Sequence, residues 1–247
     1  CRCWGGSGCM RAEVRTRASL AESDIAAMWA LYETYFEASS ERIFREDLEG
    51  KDAVVCLLDE AGRLRGFSTL AVLEFPRGRA IFSGDTIVDH RHWGEQTLPV
   101  AWCRHAGAIK AERPDEPLYW LLISKGYRTY RYLPLFSRVY YPSWNRPTPP
   151  DAQELIDQIA RRKFGAAYDA RAGVVRFAEP RGQLRGEWAD VRPEMLRKPE
   201  VRFFVERNPG YRRGDELVCL TELSAANMRS YAGRAFTEAL RLEPAAR

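Results

Sequence analysis

Residues 88–96 read VDHRHWGEQ, and they mark the point where the period of the chain changes. Before them lie three strand-like runs in quick succession. AVVCLLD (53–59) is continuously apolar. LRGFSTLAVLEF (64–75) and RAIFSGDTIVD (79–89) follow after the short turns EAG and PRG. Connections this short cannot cross over a sheet, so the three predict an antiparallel meander. After 96 the spacing becomes helical. QTLPVAWCRHAGAIKAE (96–112) sets Leu98, Ala101, Trp102 and Ile109 along one face. The stretch is therefore a strand-to-helix turn, carrying His90, Arg91, His92 and Gly94.

Working outward, AEVRTRA (12–18) alternates like a first strand. SLAE predicts a helix start capped by Ser19 with Glu22 reaching back. SERIFREDLEG (40–50) predicts a second helix, ended by Gly50. LYWLLIS (118–124) is a compact buried strand. KGYRTYRYLPLF (125–136) begins as a helix and must bend or end near Pro134. SRVYYPS (137–143) reads as one more strand. WNRPTPP (144–150) is a boundary, and DAQELIDQIARRKFG beyond it is a helix capped by Asp151. GVVRFA (173–178) and ELVCLTEL (216–223) read as strands, and 224–242 as a last helix. The expected organisation is a leader at 1–11, a core at 12–150, and an α/β extension at 151–247 that packs on the open side of the sheet.

With 247 residues, a net charge of +4 and no long apolar run, the chain reads as a globular bacterial protein of the cytoplasm, with no membrane span. A net charge of +4 is not that of a polybasic protein, which argues against nucleic acid as a partner. Only Lys51, Lys110, Lys125, Lys163 and Lys198 are lysine; arginine supplies the other basic residues. Cys56, Cys103 and Cys219 have apolar neighbours and read as buried thiols. Cys1, Cys3 and Cys9 precede Met10 in a segment expected to be a disordered leader.

The order β-α-α-β-β-β-α-β over residues 12–142, with the turn RHWGEQ in place, resembles the GNAT acyltransferase superfamily. The resemblance implies a mixed α/β sheet and a donor that is an acyl-CoA or acyl-phosphopantetheine, with no metal. It implies that Arg91, His92, Trp93, Gly94, Glu95 and Gln96 hold the donor's phosphates at a helix N-terminus, where backbone amides and the dipole favour an anion. Gln96 and Glu95 depart from the family's small and uncharged residues. A carrier-protein donor has one phosphodiester and suits a weakened pyrophosphate loop. The long-chain N-acyl amino acid synthases, which are similar to this family, use such fatty acyl donors.

The same resemblance places a carboxylate base at Asp85, or at Glu74 near the end of the preceding strand. It places an acidic tyrosine at Tyr130, with Tyr127 and Tyr132 beside it, and an oxyanion-binding amide near Ile87 or Val88. The expected reaction is N-acylation of a small-molecule or peptide amine by direct attack. Lys125, Arg128, Arg131 and Arg138 are a basic set that would dock an acyl carrier protein, bind phosphates of a nucleic acid, or simply face solvent. Two other readings stand beside the enzyme. One is a non-catalytic GNAT-like binding protein. The other is a zinc hydrolase with His90, His92 and His105 as ligands.

Overall fold

The computed structural model describes residues 10–241. The Cys1, Cys3 and Cys9 leader lies outside the described residues. In chain order the elements are β1 (Arg11–Thr16), α1 (Glu22–Tyr35), β2 (Phe36–Glu37), α2 (Glu41–Glu49), β3 (Ala53–Leu58), β4 (Leu64–Phe75), β5 (Gly78–Val88), α3 (Thr97–Glu112) and β6 (Leu118–Ser124). They continue as α4 (Tyr127–Tyr130), α5 (Tyr132–Phe136), α6 (Pro150–Phe164), β7 (Tyr168–Asp169), β8 (Val174–Val175), β9 (Gln183–Leu184), α7 (Gly186–Ala189), α8 (Pro199–Arg207), β10 (Glu216–Glu222) and α9 (Ser230–Arg241). Among these, no helix is long and apolar enough to cross a membrane.

Eight strands form one mixed sheet in the order β1-β3-β4-β5-β6-β10-β8-β7. The expected meander is present: β3, β4 and β5 pair antiparallel. Helix α3 then carries the chain to β6, which pairs with β5 in parallel. This is the mixed sheet, a meander feeding a helix and then a parallel strand, that the element order implies. β10, from the C-terminal part, pairs antiparallel with β6. It completes the sheet rather than lying on its open side, because β6 would otherwise be an unpaired edge of buried side chains.

Alternation along the strands sends side chains to two faces. Leu57, Leu70, Ile81, Trp120 and Leu122 meet α3, α8 and α9. Val54, Cys56, Phe67 and Ile87 meet α1 and α2. Phe82, Leu121, Ile123, Val218 and Leu220 meet α6 on that same second face. Cys56, Cys103 and Cys219 are buried free thiols.

Two irregularities interrupt the sheet next to each other. Between Ser68↔Thr86 and Leu70↔Ser83, β5 advances three residues while β4 advances two, which is a β-bulge at Gly84–Asp85. The parallel pairing of β5 with β6 runs only from Arg79↔Leu118 to Ser83↔Leu122. From Gly84 to Val88, β5 leaves β6, and a seam opens in the middle of the sheet.

Several local expectations shift. Helix α1 starts after Ala21, not at Ser19. The Asp24 carboxylate accepts the Ala21 N–H, while the Ser19 hydroxyl donates back to the Thr16 carbonyl. Helix α6 starts at Pro150, a residue preset for the first helical position, so Asp151 is inside rather than capping. The break in 125–136 falls at Arg131, and Pro134 sits in the first turn of α5, where a missing N–H costs nothing. Residues 137–143 make isolated bridges, Tyr141 with Leu220 and Ser137 with Met228, instead of a strand.

Candidate functional site

The bulge decides where Asp85 points. Ile81 and Ser83 face α3, so an unbroken strand would send residue 85 the same way. The extra residue moves Asp85 to the opposite face, in line with Phe82 and beside Gly84. There it lines a cleft of about 350 Å³ between α2 and α6, at the ends of β5 and β6. Burial pushes the Asp85 carboxyl up to about 6, and the Asp47 carboxylate pushes the same way against Lys125 and Lys51. No hydrogen bond or ion pair holds its carboxylate among the described residues. The other acids of the cleft are engaged. Asp47 pairs with the buried Lys51 ammonium, and Glu216 lies 3.4 Å from Lys125. Tyr32 reaches the cleft from α1, its phenol pushed up to about 12 by burial and by Asp85.

A second cleft, of about 490 Å³, opens beyond the seam. Thr86, Ile87 and Val88 of β5 form one side, and residues 126–129 with Arg131 and Tyr132 the other. Trp93 and Trp188 stand at its wall with ring centroids 5.5 Å apart, and the Arg128 guanidinium lies 4.9 Å over Trp93. Beneath it the seam holds a small space of about 20 Å³ between Thr86, Thr129, Tyr132, Trp102 and Leu122.

Strand alternation also orients the amides. Asp89 N–H donates to the Arg65 carbonyl of β4 at 2.8 Å, so Ile87, two residues earlier, also faces β4. The Val88 amide is thereby directed into the seam, and its carbonyl on that side accepts Trp93 Nε1 at 2.8 Å. Of the two amides named from sequence, that of Val88 faces the seam and that of Ile87 faces β4.

The turn after β5 departs from the expected phosphate loop in one respect. His90–His92 is a 3-10 turn capped by Asp89. Asp89 accepts Arg91 Nη2 at 2.6 Å and Nε at 3.1 Å, and that pairing holds its carboxyl at about 2. Arg91 therefore lies with Asp89 along a separate groove beside α1, turned from the second cleft. Gly94 has φ +110°, a conformation that favours glycine, and the amides of Gly94 and Gln96 engage no acceptor among the described residues. The Glu95 carboxylate turns to the Thr97 hydroxyl, 3.3 Å away, and Gln96 Nε2 donates to the Gly94 carbonyl.

Other expected residues are not brought together. Tyr130 is fully buried among Phe203, Phe204 and Tyr140, and its hydroxyl donates to the Pro142 carbonyl at 3.0 Å. It lines neither cleft; Tyr127 and Tyr132, on either side of the helix break, line the second. Glu74 is an exposed partner of Arg113 at 2.9 Å on the far end of β4. His90 accepts or donates with Tyr35, 3.1 Å away, while His105 is well inside α3. Among the described residues no group of three His, Cys, Asp or Glu side chains could hold a metal ion, and His90, His92 and His105 form no such group. The basic set is dispersed as well. Lys125 is in the first cleft with Glu216, Arg131 meets Glu200 at 3.4 Å, Arg128 donates to the Trp188 carbonyl, and Arg138 is exposed.

Besides Tyr32 and Asp47, the residues missed from sequence come from beyond 150. Lys163, Phe177, Arg181 and Glu216 wall the first cleft; Leu184, Trp188 and Arg192 wall the second. The segment 181–188 runs between the two as a strap. It pairs with β2 through Phe36↔Leu184, and its Arg181 carbonyl accepts Tyr32 Oη and Lys125 Nζ.

No protein-family model and no curated protein sequence matches the chain. Solved structures similar to it include a GNAT family N-acetyltransferase (YhbS) from Escherichia coli in complex with CoA, at 15% identity over 49% of this chain and 67% of that one, TM-score 0.34. The ribosomal-protein-S18-alanine N-acetyltransferase from Escherichia coli matches at 16% identity over 52% of this chain and 80% of that one, TM-score 0.36. An N-acetyltransferase from Staphylococcus aureus Mu50 matches at 13% identity over 52% and 84%, TM-score 0.36.

Proposed function

We propose that this protein is an N-acyltransferase that moves an acyl group from a phosphopantetheine thioester to an amine by direct attack. One observation carries the reading: the bulge aims a carboxylate raised to about 6 into one cleft, while the seam beside it opens on a second cleft. An ammonium acceptor must lose a proton before it attacks a thioester. Asp85 is ionised at pH 7 yet more basic than an ordinary carboxylate, which suits it to take that proton. The thioester would enter from the second cleft, with its carbonyl oxygen at the Val88 amide. The C–N bond forms, the C–S bond breaks, and Tyr132, in the seam and raised by burial, gives the departing thiolate its proton. Cys56 and Cys103 are pushed up to about 11 and about 12 by burial, so neither offers a thiolate for a covalent intermediate.

The space of about 20 Å³ beneath the seam would admit a group the size of a methyl, which supports a short acyl group over a fatty one. Before α3, Gly94 and Gln96 offer their unengaged backbone amides to the donor's phosphates, while the amides of Arg91, His92, Trp93 and Glu95 are already used within the turn. CoA is the favoured donor, because the cations expected to dock a carrier protein are engaged elsewhere or dispersed.

Release of free thiol from acetyl-CoA and from longer acyl donors, followed with and without a panel of amines, tests the reading. Turnover should require an amine and favour acetyl, and Asp85→Asn should lower kcat/KM by about 10²–10⁴. Donor binding without amine-dependent thiol release would instead mean a non-catalytic binding protein.

A further inference from the structure

The first cleft holds more charge than its internal pairs consume. Asp47 takes Lys51, and Glu216 takes Lys125. Asp85, Lys163 and Arg181 remain without an oppositely charged partner within ion-pair distance among the described residues. Lys163 is half-buried at the end of α6, with its ammonium 5.0 Å over the Phe82 ring. Burial and the neighbouring Lys51 pull its pKa down, against the more distant pull of Asp47 and Asp52. Arg181 is exposed at the rim with its guanidinium 4.7 Å over Phe177. The rest of the wall near Lys163 is apolar, with Phe82, Phe164 and Ile123 facing the same space.

A partly buried cation with no anion in ion-pair distance, opposite a carboxylate with no cation in ion-pair distance, complements a ligand that carries both signs. Phe82, under the Lys163 ammonium, lies three residues before Asp85 on the same face. At about 3.3 Å per residue that is a separation of roughly 7–10 Å. Two charge-assisted hydrogen bonds of about 2.8 Å each, with an amino acid's backbone between them, cover such a span.

We propose that this cleft binds an amine that also bears a carboxylate, namely an α-amino acid with an apolar side chain, its ammonium at Asp85 and its carboxylate at Lys163. The assignment rests on the Asp85 cleft being the acceptor side of an acyltransferase. Arg181 closes the rim above the same carboxylate, and the aromatic wall takes the side chain.

Calorimetric titration of the full chain without donor tests it. The probes are L-phenylalanine, L-leucine, 2-phenylethylamine and phosphoethanolamine, with Lys163→Met and Lys163→Arg alongside. L-Phenylalanine should bind about tenfold or more tighter than 2-phenylethylamine, the factor for one hydrogen bond between charged groups. Lys163→Met should erase that preference while leaving 2-phenylethylamine unchanged, and Lys163→Arg should keep most of it. Equal binding of phenylalanine and phenylethylamine, a preference that survives Lys163→Met, or no binding of either amino acid overturns the proposal. Tighter binding of phosphoethanolamine than of the amino acids also overturns it, in favour of a phosphate. Lys163-dependent amino-acid binding with no thioester consumed would sink the transferase reading and leave this one standing. Preferred acylation of carboxylate-free amines would do the reverse.

Discussion

Asp85 is expected to cost stability at the pH where it serves catalysis. An unfolded aspartate titrates near 4, and in the cleft burial raises it to about 6. Between those values the native state holds the extra proton, so stability falls as pH rises from about 4 to about 6, and above that the loss is complete. Asp85→Asn should therefore melt at a higher temperature than the parent at pH 7.5, with the difference gone near pH 4, which calorimetry at the two pH values would measure. Activity has the opposite sign: kcat/KM should rise through about pH 6 to a plateau as the base ionises, a limb that the asparagine variant lacks. The tyrosines separate in the same manner. Tyr130→Phe leaves the buried Pro142 carbonyl without its donor and should cost about 1–3 kcal/mol in urea unfolding, with turnover by the remaining folded enzyme unchanged. Tyr132→Phe should lower kcat by about tenfold or more with little change in stability. Asp85 could be named from the sequence because it falls late on a strand that feeds a turn, where the resemblance implies a carboxylate. Tyr130 and Tyr132 were not separable there, since the chain breaks its helix at Arg131 and so turns two neighbouring phenols to different surroundings.

At the scale of elements, strands β3 to β6 and helices α1 to α3 were readable because each carries its own period. The bulge was not, since no residue pattern in FSGDTIV announces which strand has the extra residue. The strap was also invisible. β9 and α7 are two and four residues long, and β9 is held by partners about 150 positions away, at Phe36 and Glu37. Gly182 is the strap's most constrained point. Its φ is +86°, and a Cβ there would lie 2.0 Å from the Tyr32 hydroxyl. Gly182→Ala should destabilise the fold by about 1–3 kcal/mol and raise KM for the acceptor more than it lowers kcat, because it lifts the strap from the first cleft. Urea unfolding and steady-state kinetics would both read it.

For the whole molecule, the boundary at 144–150 is legible as a proline-rich link, yet it does not divide the sheet. β10 pairs with β6 along six residues, and α9 packs on α3 so closely that a Cβ on Gly107 would lie 2.3 Å from the Phe236 carbonyl. Residues 10–149 expressed alone should thus bind hydrophobic dye and unfold without a cooperative transition, as checked by near-ultraviolet circular dichroism. A stable, cooperatively folding fragment would mean that β6 tolerates an open edge. The seam has a further consequence for how the sheet exchanges hydrogen with solvent. Central strands are ordinarily the slowest part of a protein to exchange, because their amides open only when the whole molecule does. β5 is central, yet the Thr86 and Val88 amides point into the seam and have no strand across from them. They should exchange orders of magnitude faster than Ile81 or Leu122 a few residues away, and slow when a thioester fills the gap. Two fast amides in the most protected strand would then report directly on donor occupancy.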